Sequence, residues 1–260
     1  MTATDATDGE ITARISKELD KIEAKEHVKI LRAVESGSRA WDFASPDSDY
    51  DVRFFYVRDR DFYLRLGETR DVIEWMLNET LDINGWDIRK SLRLLHKSNP
   101  TLFEWASSPI VYRSGKEWGR VSAVFGDYFL SKPCLHHYLS MAEGNYRAYL
   151  KSDLVKAKKY LYVLRPVLAC KWILQRRSPP PMRFSDLMAA ELEAEIVPAV
   201  EELLRIKAET PEAGLLPRIQ VLNDYIESAL SAVKRQTEEL PSEQIRGFEE
   251  LDRLFLSLLL

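Results

Sequence analysis

Cysteine is nearly absent from this chain of 260 residues: Cys134 and Cys170 are the only two, too few for a disulfide framework. No run approaches the ~20 apolar residues needed to span a bilayer, which argues against a helical membrane protein. The polar, acidic opening MTATDATDGE has neither the basic nor the apolar region of a secretory signal. The expected compartment is therefore the reducing cytoplasm. A net charge of −4 excludes a polycation, and a 45% hydrophobic share excludes a disordered chain. No Gly-x-Ser-x-Gly, Walker or dinucleotide fingerprint occurs. His96, His136 and His137 lack carboxylate or Cys partners at ligand spacing, which argues against a histidine metal site.

What is present divides into two halves. A helix is expected from near Asp8 through Ile11, Ile15, Leu19 and Ile22. Strands follow at 28–34 and 49–57, then at 72–76 and 79–83 with a tight turn between them. A turn at Ser36-Gly37-Ser38 leads into a short helix, Arg39 to Phe43, and a loop over 44–48. Asp87 is a good N-cap for a helix over 88–97. From about Ser131 the pattern is helical: 135–150, 154–176, 184–206, 215–239 and 242–260, with the triple proline 179–181 as a stiff break. The expected architecture is α+β, a small mixed sheet with helices over residues 1–130 and an all-helical domain over 131–260. Phe248, Leu251, Phe255, Leu258 and Leu259 form an apolar stripe suited to docking on the body or to a homodimer through the C-terminal helix.

Charge is uneven along the chain. Ten basic residues between Arg147 and Arg183 face Asp153 alone, whereas sixteen acids face seven bases from Phe184 onward. The bland account is solvated helix faces; the band as a group suggests an anionic partner.

The chemistry concentrates at Gly37-Ser38, a spacer of ten residues, and Asp49-Tyr50-Asp51-Val52. Residues i and i+2 of a strand share a face, so Asp49 and Asp51 project together while Tyr50, Val52, Phe54 and Tyr56 point to the expected core. Paired carboxylates suit hard divalent cations, which take oxygen ligands. Pairs of such ions clamp the oxygens of an in-line phosphoryl displacement. Gly37-Ser38, opening a helix, offers backbone N–H groups and a hydroxyl to a triphosphate.

This pattern resembles the DNA polymerase beta-like nucleotidyltransferase superfamily. The string from Glu35 to Phe54 is similar to one branch of it, assigned to an RNA repair pathway. Residues 82–87, 97–105, 108–112 and 159–166 agree, so the resemblance covers roughly residues 10–185. One departure is Asp42 where Gly is expected; Asp tolerates a left-handed backbone better than most residues.

The resemblance implies a third metal carboxylate on a neighbouring strand. Asp82, alternating with Leu81 and Ile83, is the choice. Asp87 is better explained as a cap, and Glu74 is a weaker candidate. The cofactor implied is Mg2+ or Mn2+, two ions, held by Asp49, Asp51 and Asp82. It also implies that the helical half helps hold the nucleotide. Lys158, Tyr162 and Arg165, at i, i+4 and i+7 with Lys159 beside them, form a stripe that Pro166 could aim into the cleft. A wet amphipathic face is the competing account. Arg39 is placed to touch the triphosphate. Arg89, Lys90, Arg93 and Lys97 suit phosphate-backbone contact or a solvated face equally. Glu104 lies among apolar neighbours and requires a fixed partner.

The expected reaction is transfer of a nucleoside monophosphate from an NTP to a hydroxyl, on an RNA end, with release of pyrophosphate. Transfer to a protein or small-molecule hydroxyl, including a toxin–antitoxin role, and a non-catalytic RNA- or nucleotide-binding module are the alternatives.

Overall fold

The computed structural model describes residues 3–45, 47–78, 80–209 and 214–259. Helix α1 (Ala3–Glu26) leads through His27, held at φ 52, into β1 (Val28–Ser36). There follow α2 (Gly37–Ala40), β2 (Tyr50–Arg58), α3 (Arg60–Tyr63), β3 (Val72–Asn78) and β4 (Leu81–Asp87). Then come α4 (Ile88–His96), α5 (Pro100–Ser107), β5 (Val111–Ser114), α6 (Trp118–Ala123) and one 3-10 turn, Gly126–Tyr128. The remainder is α7 (Ser131–Tyr149), β6 (Leu154–Lys156), α8 (Ala157–Arg176), α9 (Phe184–Glu191), α10 (Val197–Glu209), β7 (Leu215–Pro217), α11 (Gln220–Glu239) and α12 (Glu249–Leu258). This is an α+β fold.

The central sheet has the order β3-β4-β2-β1-β5. Only β2 and β4 run parallel; the other neighbours are antiparallel. Core lies on both faces of it, not on one as the alternation in β2 suggests. Val52, Phe54 and Tyr56 pack with Ile15, Leu19 and Ile22 of α1. Phe55 and Val57 face the other way, into a larger cluster shared with the helices from α4 to α12. A strand covered on both sides reads as a continuous apolar run, as 52–57 does. Where the cover thins, at the start of β2, the polar residues sit.

Several boundaries differ from the sequence pattern for identifiable reasons. Helix α1 begins at Ala3, ahead of Asp8, with no proline to stop it. Residues 154–156 are not helical but pair with 215–217 as a two-stranded ribbon. Pro217 and the restriction it places on Leu216 delay α11 to Gln220. The stretch 184–206 is two helices, since Pro198 favours a new helix start at Val197. Pro241 and Gly247 bracket the irregular segment that moves α12 from Ser242 to Glu249. Strand β5 and helices α5 and α6 are short and carry no periodic signal. Pro46, Glu79, within the strand expected over 79–83, and Leu260 lie outside the described residues.

Two interactions lock the helices together. Helix α12 lies on α4 of its own chain: Leu251 and Leu254 are buried, Phe255 meets Tyr63 at 5.0 Å and Phe248 stacks on His96 at 3.7 Å. The apolar C-terminal stripe is thus used within the chain. Among the described residues no helix is long and apolar enough to cross a membrane.

The second is a buried ion pair. Arg165, 4% exposed, donates to Glu104 Oε1 at 2.9 Å and to the Met182 carbonyl at 3.2 Å, with its guanidinium 4.6 Å from the Trp41 ring. Tyr138 donates to the same Glu104 oxygen at 2.7 Å. Glu104 therefore has the fixed partners its setting requires, and Arg165 is interior rather than available to a triphosphate. Removing one member of such a pair strands the other. Arg165→Ala should lower stability by about 3–5 kcal/mol, read as a lower urea midpoint with an unchanged slope; a change below ~1 kcal/mol would show the pair to be dispensable.

Candidate active site

The end of β1 turns sharply. Gly37 has φ 61, and a Cβ there would stand 2.1 Å from Asp51 Oδ2. Glycine is needed both for the left-handed backbone and for the space the carboxylate fills. Asp42, at φ 68, adopts the left-handed conformation expected of its position.

Asp51 sits opposite Ser36 on one side and, through the parallel pairing, opposite Asp82 of β4 on the other. Both carboxylates lie on the face that carries Phe55 and Trp86, toward the helical half. Arg53, two residues along β2, donates to Asp51 Oδ1 at 2.7 Å and to Asp82 Oδ2 at 2.8 Å. Burial pushes the Asp51 carboxyl above its ordinary range; Arg53 opposes the shift, while Asp82 and Asp49 add to it. Asp49, exposed just before β2, thus shares the electrostatic site.

Beneath Asp51 lies Glu35, fully buried. It accepts the Asp51 amide at 2.7 Å and the Tyr112 hydroxyl. Burial drives its carboxyl up to about 7, against those hydrogen bonds. Arg39 donates to the carbonyls of Ser48 (2.7 Å) and Asp49 (3.2 Å), with its guanidinium 3.7 Å from the Tyr50 ring. It clamps the loop that presents Asp49 instead of pointing outward for a triphosphate.

The same loop is held from the helical half. Phe184 N–H donates to the Trp41 carbonyl at 2.8 Å, and Ser185 to Asp42 at 2.7 Å. Lys207 of α10, buried, reaches Ser45 Oγ at 3.3 Å, and the Ser45 amide donates to Ser48 Oγ at 2.9 Å. Helix α8 continues through Pro166. Tyr162 meets Trp41 edge-on at 6.0 Å, and Lys159 lies 3.7 Å from the Tyr149 ring and 5.3 Å from that of Tyr162. Lys158 is half-buried beside them. Through Trp41, this part of the stripe reaches the Gly37-Ser38 turn.

Other candidates are elsewhere. Asp87 caps α4, accepting from Arg89 N at 2.7 Å and from the Tyr63 hydroxyl at 2.9 Å, at the far end of β4 from Asp82. Glu74, on β3, faces Arg70 at 3.8 Å in solvent. Arg89, Lys90 and Arg93 line a cavity beside α3, while Lys97 closes the other end of α4. The basic band is partly neutralised: Lys151 pairs with Glu227, Lys171 with Glu193 and Arg176 with Glu191.

Glu35, Arg53 and Lys207 are the site's unforeseen members. Arg53 was within reach, sharing the face of Asp51 at i+2. Lys207 shares a helical stripe with Val200 and Leu203, which marks it as inward-facing. For Glu35 the only signal is its place next to the Gly-Ser turn.

Arg53 stands between Asp51 and Asp82, and among the described residues no three His, Cys, Asp or Glu side chains gather as a ligand set. The donor chemistry still fits a hard divalent cation: like-charged oxygen donors, with the Asp51 carboxylate accommodated against Gly37 by the missing Cβ.

Residues 11–257 match the RNA repair pathway DNA polymerase beta family. The chain is 44% identical over 246 residues to the uncharacterized protein YcgL of Bacillus subtilis (strain 168), covering 94% of this chain and 95% of that one. It is also similar to a nucleotidyltransferase-like protein from Exiguobacterium sibiricum 255-15 of known crystal structure, at 14% identity and a TM-score of 0.32, over 94% of this chain and 88% of that chain.

Arg53→Gln should expose the repulsion that the guanidinium offsets. A carboxyl with a raised pKa makes the folded protein less stable as pH rises through that pKa, and losing Arg53 enlarges the effect. The variant should melt below wild type above neutrality, with the gap closing as pH falls and Asp51 takes up its proton. Millimolar Mg2+ should raise its melting temperature more than that of wild type. A gap that is independent of both pH and Mg2+ would argue that Arg53 only packs.

Proposed function

Because the chain belongs to the RNA repair pathway DNA polymerase beta family, we propose that it is a nucleotidyltransferase acting on the end of an RNA. The observation that carries this is the pairing of Asp51 with Asp82 across parallel strands, beside a Gly37-Ser38 turn whose missing Cβ lets the Asp51 carboxylate sit against it. Asp49, Asp51 and Asp82 would hold magnesium or manganese, as two ions, which would supply charge neutralisation for the triphosphate and the leaving pyrophosphate.

The chain's own residues do the positioning. Backbone N–H groups and the hydroxyl at Gly37-Ser38 face the phosphates. Arg39 and Lys207 fix the loop from which Asp49 projects. Lys158 and Lys159 add positive charge from α8, and Tyr162 offers a ring for base stacking. A hydroxyl oxygen of the acceptor forms a bond to the α-phosphorus, the bond from that phosphorus to the β-phosphate bridging oxygen breaks, and pyrophosphate leaves. The hydroxyl proton passes to solvent. With little covalent chemistry for side chains to perform, catalysis is positioning plus electrostatics, so losing a carboxylate is costly.

Incubation with each labelled nucleoside triphosphate, Mg2+ and total RNA, resolved on a gel, tests the reading. Label should enter RNA with wild type. Asp51→Asn and Asp49→Asn should each reduce incorporation by at least about 100-fold, with the melting temperature close to wild type. Label on protein would redirect the acceptor to a protein hydroxyl, and undiminished incorporation by both variants would refute the carboxylate assignment.

A further inference from the structure

Several arginines of this protein are held by carboxylates, as Arg53, Arg113, Arg165 and Arg176 are. Three near α4 are not. Arg65, Arg89 and Arg93 make no ion pair among the described residues. Arg65 lies 5.3 Å from the Phe62 ring and Arg89 5.2 Å from the Tyr63 ring. Arg89 spends one further donor on Thr69 Oγ1, at 3.3 Å. A ring engages the face of a guanidinium and leaves its N–H edge available to a planar or tetrahedral oxyanion. Arg65 and Arg89 are therefore held without being neutralised, and Arg93 stands exposed one helical turn from Arg89.

With Lys90 they line one cavity of about 370 Å3 between α4 and the loop that follows α3. Its acids are Glu68 and Asp71, and Asp71 is taken by Lys90 at 3.1 Å. Asp252 borders a neighbouring cavity with Arg89 and Arg93. Asp87, whose carboxylate feels Arg89, is buried with both oxygens accepting hydrogen bonds. Within the lining itself four bases face two acids, and from Ile88 to Asn99 the chain contains no acid at all. Leu66, fully exposed on the same rim, supplies apolar surface of the kind a sugar or base covers.

Position identifies the ligand. The cavity adjoins the Asp87 end of β4, whereas Asp82 opens that strand. Five strand steps separate them, about 17 Å. A phosphate bound here is not part of the triphosphate reacting at Asp51 and Asp82. We infer that this cavity binds the phosphodiester backbone of the acceptor RNA, a few nucleotides from the reacting end. The inference rests on the reading that RNA is the acceptor, and it makes α4 the element that measures out and orients the strand. Such contacts position without reading sequence.

Binding can be tested without turnover, by fluorescence anisotropy of a labelled single-stranded RNA of about 12 nucleotides, longer than that span, in EDTA and over a salt series. The triple variant Arg65→Ala/Arg89→Ala/Arg93→Ala should bind at least about 10-fold more weakly, and its slope of log affinity against log salt should fall by about 2, near 0.7 for each phosphate no longer neutralised. Arg93→Glu, an exposed single change, should weaken binding several-fold with an unaltered melting curve. Asp51→Asn should bind as wild type, so a failed transfer assay is not a failed docking assay. Wild-type affinity and slope in the triple variant, or no binding by the wild type at low salt, would overturn the inference. Inorganic phosphate raising the melting temperature of wild type but not of the triple variant, with RNA affinity equal in the two, would reassign the cavity to a free phosphate.

Discussion

Negative charges that repel one another must be held together at the start of two adjacent strands, and the surrounding structure is arranged to make that tolerable. Asp51 and Asp82 face each other across β2 and β4. Two such charges about 5 Å apart repel by roughly 3 kcal/mol at the effective dielectric of a half-buried site. That is a sizeable fraction of the stability of a whole domain. Arg53 offsets it by bridging the pair, and the missing Cβ of Gly37 lets Asp51 sit against the turn at all. Glu35 sits below, accepting the amide of Asp51 and so fixing the backbone from which the carboxylate projects. Burial holds Glu35 partly protonated near neutrality, which lessens the negative charge it adds to the cluster.

The helical half supplies the frame for this cluster. Residues 42–45 and 47–49 have little regular structure of their own, and they are held by Phe184, Ser185 and Lys207 reaching in from α9 and α10 and by Arg39 from within. The buried Arg165–Glu104 pair ties α8 to α5 and presses on Trp41, the residue that follows α2. Buried ion pairs contribute little net stability against an apolar replacement. Directional groups fix relative placement better than a greasy contact does, and placement is what a site assembled from both halves of the chain requires.

The local parts of this arrangement were legible in the sequence. Gly37-Ser38, Asp49 and Asp51 form a pattern whose spacing carries its own chemistry. Asp82 was preferred to Asp87 because one alternates within a strand and the other precedes an amphipathic helix, and the structure puts Asp82 opposite Asp51 and Asp87 at the cap of α4. What was not legible depends on which elements meet. Alternation in 50–57 pointed to one core face, yet the helices cover the other as well, so Phe55 and Val57 are interior. Arg165 looked like a member of a basic stripe because periodicity places a residue on a helix face without saying what that face meets. Arg39 stood next to the phosphate turn in sequence, but its nearest acceptors were carbonyls about ten residues away. The ribbon of β6 and β7 joins segments far apart in the chain, and neither three-residue stretch carries a strand signal of its own.

Charge segregation illustrates the same limit. Along the chain, a basic band precedes an acidic tail, which invites the image of a basic surface beside an acidic one. In the fold, the tail returns upon the band: Glu227 meets Lys151, Glu193 meets Lys171 and Glu191 meets Arg176. Charge separated in sequence is thus partly paired in space. What decides where an anion can bind is not where cations are most numerous but how each one is held. A guanidinium gripped edge-on by a carboxylate has spent its donors. One that only rests its face on a ring has been ordered at little cost to them. Arg176, deep in the most basic stretch, has both a ring, Trp172, and a carboxylate, Glu191; Arg89 has the ring of Tyr63 and no ion pair among the described residues.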